Sequence, residues 1–437
     1  MRDILVVGLI AASLPVGLIR PYYAMLTYAW ISYMYPHMLA WGFARTFPGA
    51  RLTALSAIAG VVITRSGDTA VLRQRENVAM MLLWCVFTVT TLVALNPVEA
   101  WPQWQDASKL IVMGLVASVL LTDHNRLRCF LLVVALSLGF YGFKGGIFSI
   151  ATGGQQMVYG PGTSMIAANN SIGLALNMCL PVLWYTAHEE KRYLKIALRI
   201  IFFLTIPAIL FTYSRASALT CPIVLLAIMF KGRSRVLLTI SALLVGAAVF
   251  AYVPDRWWRR QESTLTYERD QSAMSRIDTW KMAWRVALDR PLTGGGFVFN
   301  TRKTFDDYAP EFRLIYGDRV SPDTHSIYLS MLGSHGFPGF AVFFSMIAFC
   351  VYSCRRMQRA VRRHAELQWI ASYCSMIQIS FLAFLVNGAF VNMEYFDLPY
   401  HWCGVVASLR VICRRTLSEG AAAEEGGLAQ EVVTAAS

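Results

Sequence analysis

An all-α polytopic membrane protein is the fold class this 437-residue sequence predicts, and three observations carry it. Charged residues make up 15% of the chain against roughly 25% in soluble domains, while 56% is hydrophobic and the mean hydropathy is +0.48. Apolar runs such as Val78–Leu95, Val236–Val253, Phe337–Val351 and Trp369–Leu385 recur at close to the ~20 residues that a helix needs to cross a bilayer. These runs are continuous, without alternation. Of the two architectures that satisfy the backbone inside lipid, helices and closed barrels, they select helices.

Apolar segments lie near 4–19, 22–44, 52–64, 78–96, 108–122, 129–150, 166–187, 196–213, 216–230, 235–253, 336–353, 369–390 and 398–413. The 52–64 run is short, and 22–44 is rich in Tyr, Trp and Pro, so one of the first three is expected to fall short of a crossing. About twelve transmembrane helices result. Basic residues orient them. Arg65, Arg73 and Arg75, then Arg126 and Arg128, then Lys191, Arg192 and Lys195, then Lys231, Arg233 and Arg235, then Arg355, Arg356, Arg359, Arg362 and Arg363, and finally Arg414 and Arg415 fall on alternate connections. They share one side, expected to be the cytoplasm. The opposite side, the periplasm of a bacterium, receives 97–107, 151–165, the Ser214-Arg215 turn, 254–335 and 391–398.

The organisation is then an N-terminal bundle over 1–253, a large periplasmic loop over 254–335, C-terminal transmembrane helices over 336–413 and a cytoplasmic tail over 414–437. The tail is rich in Ala, Glu and Gly and reads as disordered. The loop is ordered in pattern. Over 273–290 it places Ile277, Trp280, Trp284, Ala287 and Leu288 at helical spacing, an amphipathic helix that stops at Pro291 and is followed by Gly294-Gly295-Gly296. Such a helix suits the membrane interface or the cap of a cavity. Twelve Lys/Arg and eleven Asp/Glu across 254–325 leave the loop nearly neutral, so its charges matter by placement.

The formal net charge of +13 is what cytoplasmic connections need for orientation, and nucleic acid is not called for. The nine cysteines lie in or beside apolar runs with no C-x-x-C pair, which reads as core packing without disulfides or a metal. No His/Asp/Glu/Cys cluster has metal-ligand spacing, and no phosphate-binding glycine motif appears in a strand–helix setting. The N-terminus does not read as a cleavable signal, since Arg2 and Asp3 cancel and Pro15 interrupts the run.

Several residues at the periplasmic face could carry chemistry. Arg215 sits between two apolar runs on the side where arginine is disfavoured; it either snorkels to the interface or binds an anion, with Ser214 and Tyr213 as neighbouring hydroxyls. Arg276 precedes Trp280 by one turn and reads as a solvated helix face or a second cation for the same anion. Arg319 lies close to His325. His325 stands where the chain re-enters the bilayer, in Ser321-Pro322-Asp323-Thr324-His325-Ser326. It is either an interfacial or capping group or a base with Asp323 to orient it, and Asp323 or Thr324 is the expected N-cap of the next helix. Lys144, in Tyr141-Gly-Phe-Lys-Gly-Gly, reads as snorkelling or as a further cation. Asn169-Asn170 opens a span and could bind sugar hydroxyls or satisfy backbone; Asn387, Asn392, Glu394 and Tyr395 form another polar cluster on the same face.

At these residues the chain resembles the O-antigen ligase/polymerase superfamily of membrane glycosyltransferases. The features that carry the resemblance are the Ser214-Arg215 turn, Arg276-x-x-x-Trp280 with Pro291-Leu292-x-Gly-Gly-Gly296, and His325-Ser326-Ile327-Tyr328-Leu329 followed by Gly333 and Gly336-Phe-Pro-Gly339. Trp30-Ile-Ser-Tyr-Met-Tyr-Pro-His37 is similar to the ligase branch found beside exosortase systems. Many relatives carry Asn after the histidine; here it is Ser326.

The resemblance implies transfer of a glycan from undecaprenyl pyrophosphate to an acceptor hydroxyl, in the ligase case on lipid A–core, in lipopolysaccharide biosynthesis at the periplasmic face of the inner membrane. It implies inversion at the sugar and no metal, nucleotide or other cofactor. Carried onto this chain, His325 is the general base, and Arg215 and Arg276 neutralise the pyrophosphate, with Lys144 and Arg319 as further cations. Ser214, Asp323, Trp280 and Asn170 support them. Membrane lipids surround it. The rival readings are a polymerase of repeat units, a ligase acting on protein Ser/Thr, a transporter of lipid-linked sugars and an assembly scaffold.

Overall fold

The computed structural model describes residues 1–231, 271–317 and 323–435. The expected 235–253 span, the first part of the loop and Arg319 lie outside the described residues. Among the described residues there are helices and no strands. They are α1 (Arg2–Ile19), α2 (Pro21–Met34), α3 (Gly49–Thr64), α4 (Arg75–Leu92), α5 (Pro97–Leu120), α6 (His124–Ala151), α7 (Asn169–Glu189), α8 (Arg192–Leu210), α9 (Arg215–Lys231), α10 (Gln271–Asp289), α11 (Arg302–Tyr308), α12 (Pro310–Tyr316), α13 (Ile327–Ala360), α14 (Gln368–Gly388) and α15 (Asp397–Ala435).

By length and composition, five of the helical stretches can cross a membrane: Arg2–Ile19, His124–Ala151, Arg192–Leu210, Ile327–Arg363 and Ala365–Gly388. Helices α2, α3 and α9 are shorter, at 14, 16 and 17 residues. The 22–44 run divides into α2 and two short 3-10 turns, Pro36–Leu39 and Phe43–Thr46, since Tyr35 turns left-handed (φ 48°) before Pro36. The 97–107 connection is helical. Pro97 starts α5, a position where its missing N–H costs nothing. The segment 414–435, which composition reads as disordered, continues α15 as helix to Ala435.

The basic connections gather at one end of the bundle. Asp68 meets Arg415 at 2.7 Å, and Arg128 grips Glu190 with two 2.6 Å hydrogen bonds. The buried Glu76 is held by Arg410 at 2.7 Å and by Ser353. At the other end lie the turns that build the candidate site. They are tied by the Tyr213 hydroxyl to the Gly154 carbonyl (2.6 Å) and by Leu95 N–H to the Gly295 carbonyl (2.8 Å).

Of the expected stripe on α10 the core takes Ala287, fully buried, and half-buries Ile277 and Trp280, but the centre of the buried face lies elsewhere. Met282, Ala283 and Val286 are fully buried and pack with Phe299, Phe305 and Phe312 in a small satellite core. Trp284 and Leu288 are 47% and 57% exposed, and Trp284 meets Phe337 of α13 edge-on at 6.2 Å. The helix has apolar residues on two faces, and periodicity alone could not tell which one the core would take.

Candidate active site

The Ser214-Arg215 turn is built by its neighbours. After α8, Tyr213 adopts a left-handed backbone (φ 57°), uncommon without glycine. Its ring is buried, the Asn169 amide donates to the Thr212 carbonyl at 2.9 Å, and Val158 N–H donates to the Phe211 carbonyl at 2.9 Å. Ser214, 2% exposed, caps α9: its Oγ accepts from Ser217 N–H at 3.3 Å and from the Ser217 hydroxyl at 3.1 Å. That puts the half-buried Arg215 in the first turn of α9, the positive end of the helix dipole. A cation is disfavoured there for the helix itself, and a cation at a helix N-terminus suits an anion.

The chain reaches His325 through the end of α14. The Asn387 amide donates to the Ser217 hydroxyl at 3.0 Å. The adjoining Gly388 lies so close to Ile327 that a Cβ would sit 2.6 Å from its Cδ1. Tyr328 hydroxyl donates to the Leu385 carbonyl at 3.0 Å. The arginine turn and the segment before α13 therefore flank the same end of α14.

His325 also has a left-handed backbone, φ 47°. Non-glycine residues held there cost roughly 1–3 kcal/mol and persist only under constraint. Two side chains supply it: the Trp280 indole N–H donates to the Thr324 carbonyl at 2.6 Å, and the Asn300 amide donates to Asp323 at 2.9 Å. The N-cap of α13 is Ser326, not the expected Asp323 or Thr324; Thr324 is buried, and Asp323 is turned to Asn300. Burial, reinforced by the positive charge of Arg276, pushes the imidazole below its ordinary range, with Asp323 opposing. Burial and Arg276 both favour the unprotonated ring, which has a lone pair to offer.

The glycine loop completes the frame. Gly336 breaks α13 (φ 63°, ψ −167°), and Pro338 two residues on has no N–H to give. The carbonyls of Gly333 and Ser334 thus lose their helical donors. Gly295 and Gly296 N–H groups replace them, each at 2.8 Å, while Phe337 N–H turns to the Pro291 carbonyl at 2.9 Å. Side chains are excluded at the join: a Cβ on Gly294 would stand 2.6 Å from the Gly333 carbonyl oxygen, and one on Gly336 2.5 Å from that of Pro291.

Of the residues singled out in the sequence, Ser214, Arg215, Arg276, Trp280, Asp323 and His325 occupy this end of the bundle. Asn170 stands half-exposed beside the structural Asn169. Lys144 is exposed on the outer face of α6 with Phe143, Ile147 and Phe148, while Gly142, Gly145 and Gly146 pack the opposite face against α8 and its surroundings. Asn300 and the Asn387–Ser217 pair went unrecognised as supports. Asn300 carries no periodic or motif signal; Asn387 was visible as part of a polar cluster. Among the described residues no three His, Cys, Asp or Glu side chains are grouped to hold a metal ion.

Comparison with known families accounts for much of the chain. Residues 200–344 match the family model described as O-antigen ligase, and residues 1–191 match a family of unknown function, DUF5935. No curated protein matches.

Proposed function

We propose that this protein, a member of the O-antigen ligase family by residues 200–344, transfers a glycan from undecaprenyl pyrophosphate to a hydroxyl of lipid A–core at the periplasmic face of the inner membrane. The family supports a ligase- or polymerase-type membrane glycosyltransferase. The observation that favours the mechanism is His325: half-buried, held in a strained backbone and kept unprotonated by burial and by Arg276.

In the reaction the acceptor O–H gives its proton to His325 as the oxygen attacks the anomeric carbon. The bond from that carbon to the pyrophosphate oxygen breaks, and the electron pair leaves with the pyrophosphate. One displacement inverts the sugar. Arg215 and Arg276 receive the developing negative charge; pyrophosphate is already a good leaving group, so guanidinium groups can take the part that divalent metals often play. Energy stored in the lipid-linked donor removes the need for ATP. Arg319 and Lys144 would add further positive charge for the pyrophosphate, and Asn170 would meet a sugar hydroxyl.

The test is transfer by purified protein from undecaprenyl-pyrophosphate glycan to lipid A–core, with EDTA and without ATP. His325→Ala is expected to retain donor binding and lose transfer; normal transfer by that variant removes the base role. Folded wild-type protein that elongates a second repeat unit, or modifies a Ser/Thr peptide and leaves lipid A–core untouched, would identify the polymerase or protein-ligase branch.

A further inference from the structure

The connection between α14 and α15 carries a carboxylate that the mechanism above does not use. Glu394 is 3% exposed. One of its oxygens accepts the Ser330 hydroxyl in the first turn of α13, while the other, Oε2, is buried without a hydrogen-bond partner. Its backbone carbonyl accepts from the Tyr400 hydroxyl of α15 at 2.8 Å. Next to it, Tyr395 pairs with His335 Nε2 at 2.8 Å, and His335 Nδ1 pairs with Thr90 of α4 at 2.7 Å. The connection is thus fastened to α13, α15 and α4 at once.

The grip reaches His325 by a short path. Ser330 N–H donates to the carbonyl of Ser326 at 2.8 Å, and Ser326 is the N-cap of α13 next to His325. The titratable groups that act on Glu394 or feel its charge are Asp323 from the His325 segment, Tyr395 from its own connection and Tyr400 from α15, all acids. A buried acid among acids, held by one hydroxyl, is costly to keep as packing alone.

We propose that Glu394 is a positioning residue: through Ser330 it holds the first turn of α13 so that His325 is presented in its left-handed geometry. The kinetic part of this proposal rests on the transferase reading; the backbone part does not. Burial pushes the Glu394 carboxyl up to about 7, so its charge changes within the working range of the base it positions.

The experiment combines hydrogen exchange over 323–330 with transfer kinetics in full-length protein. Glu394→Ala and Ser330→Ala should each speed exchange roughly tenfold, the loss of about one hydrogen bond. Both should lower kcat by ~10–100-fold with the donor KM within about twofold, since small misalignments of a reacting group cost this much. The double variant should be no worse than the worse single. Glu394→Gln, whose amide oxygen can still accept from Ser330, should recover most of kcat and flatten the pH profile near neutrality; it also serves should the alanine variant not fold. Unchanged exchange and kcat in Ser330→Ala together with a wild-type pH profile in Glu394→Gln, or multiplying losses in the double variant, would overturn the proposal. If the wild type transfers nothing, the transferase reading fails and exchange alone decides the positioning role.

Discussion

Trp280→Phe isolates one hydrogen bond beside the base. The indole N–H to the Thr324 carbonyl spans 2.6 Å, and Thr324 is 2% exposed, so the carbonyl is left without its donor when the nitrogen is removed. A buried acceptor stranded in this way costs about 1–3 kcal/mol. The left-handed backbone at His325 stores roughly 1–3 kcal/mol of its own. The constraint and the strain are of one size, so losing the first lets the second relax. At ~1.4 kcal/mol per tenfold, the fraction of molecules with His325 aligned should fall by about 10–100-fold. Transfer kinetics should show that fall in kcat, with the donor KM little changed, because Arg215 and Arg276 are untouched. Helix content by circular dichroism should be that of the wild type. A folded Trp280→Phe protein with kcat within about twofold of wild type would refute the claim that this bond holds the base in place.

Removing the Arg276 charge, as in Arg276→Gln, should raise the His325 pKa toward its ordinary 6.5, since that charge opposes the imidazolium; the acid limb of the pH–rate profile should move to higher pH, and Asp323→Asn should move it lower. Gly336→Ala puts a Cβ 2.5 Å from the Pro291 carbonyl oxygen at a φ of 63°, and should lower thermal stability by at least ~1–3 kcal/mol together with transfer. Glu394 should make stability fall as pH rises: the folded carboxyl holds its proton to about 7, the unfolded one releases it near 4.5, and between these values unfolding releases a proton. The integrated loss is on the order of 3 kcal/mol, and the slope should vanish in Glu394→Gln in denaturant titrations at pH 5 and pH 8. Arg215→Ala should weaken donor binding and transfer together, whereas His325→Ala should affect transfer alone, as binding and single-turnover measurements would show.

The helices were legible because continuous apolar runs report burial or lipid directly, and Arg215 and His325 were legible because polar residues at the ends of such runs stand out. What the sequence hid depends on contacts between distant segments. The inward face of α10 is decided by Phe299, Phe305 and Phe312, which lie outside its own periodicity. Ser326 becomes the N-cap because Asp323 is drawn off by Asn300. The 97–107 segment reads as a connection because polar residues dilute the first half of α5, although proline at position 97 favours a helix start. Glu394 stood out only as one member of a polar cluster, since an acid in a connection looks solvated until α13 and α15 close over it. The extension of α15 past Arg415 follows from Ala and Glu, good helix formers, which composition alone assigns to a disordered tail.

The glycine loop seated in the break of α13 has a consequence for how the protein is made. A helix interrupted by Gly336 and Pro338 has the carbonyls of Gly333 and Ser334 unpaired until the glycine loop docks, and an unpaired carbonyl at the edge of hydrocarbon is costly. The donors that answer them, Gly295 and Gly296, come earlier in the chain and so are synthesised first. Chain order therefore delivers the plug before the hole. A fault in the loop is therefore expected to surface as poor assembly of α13 into the bundle, measured as low yield of folded protein, before it surfaces as failed catalysis.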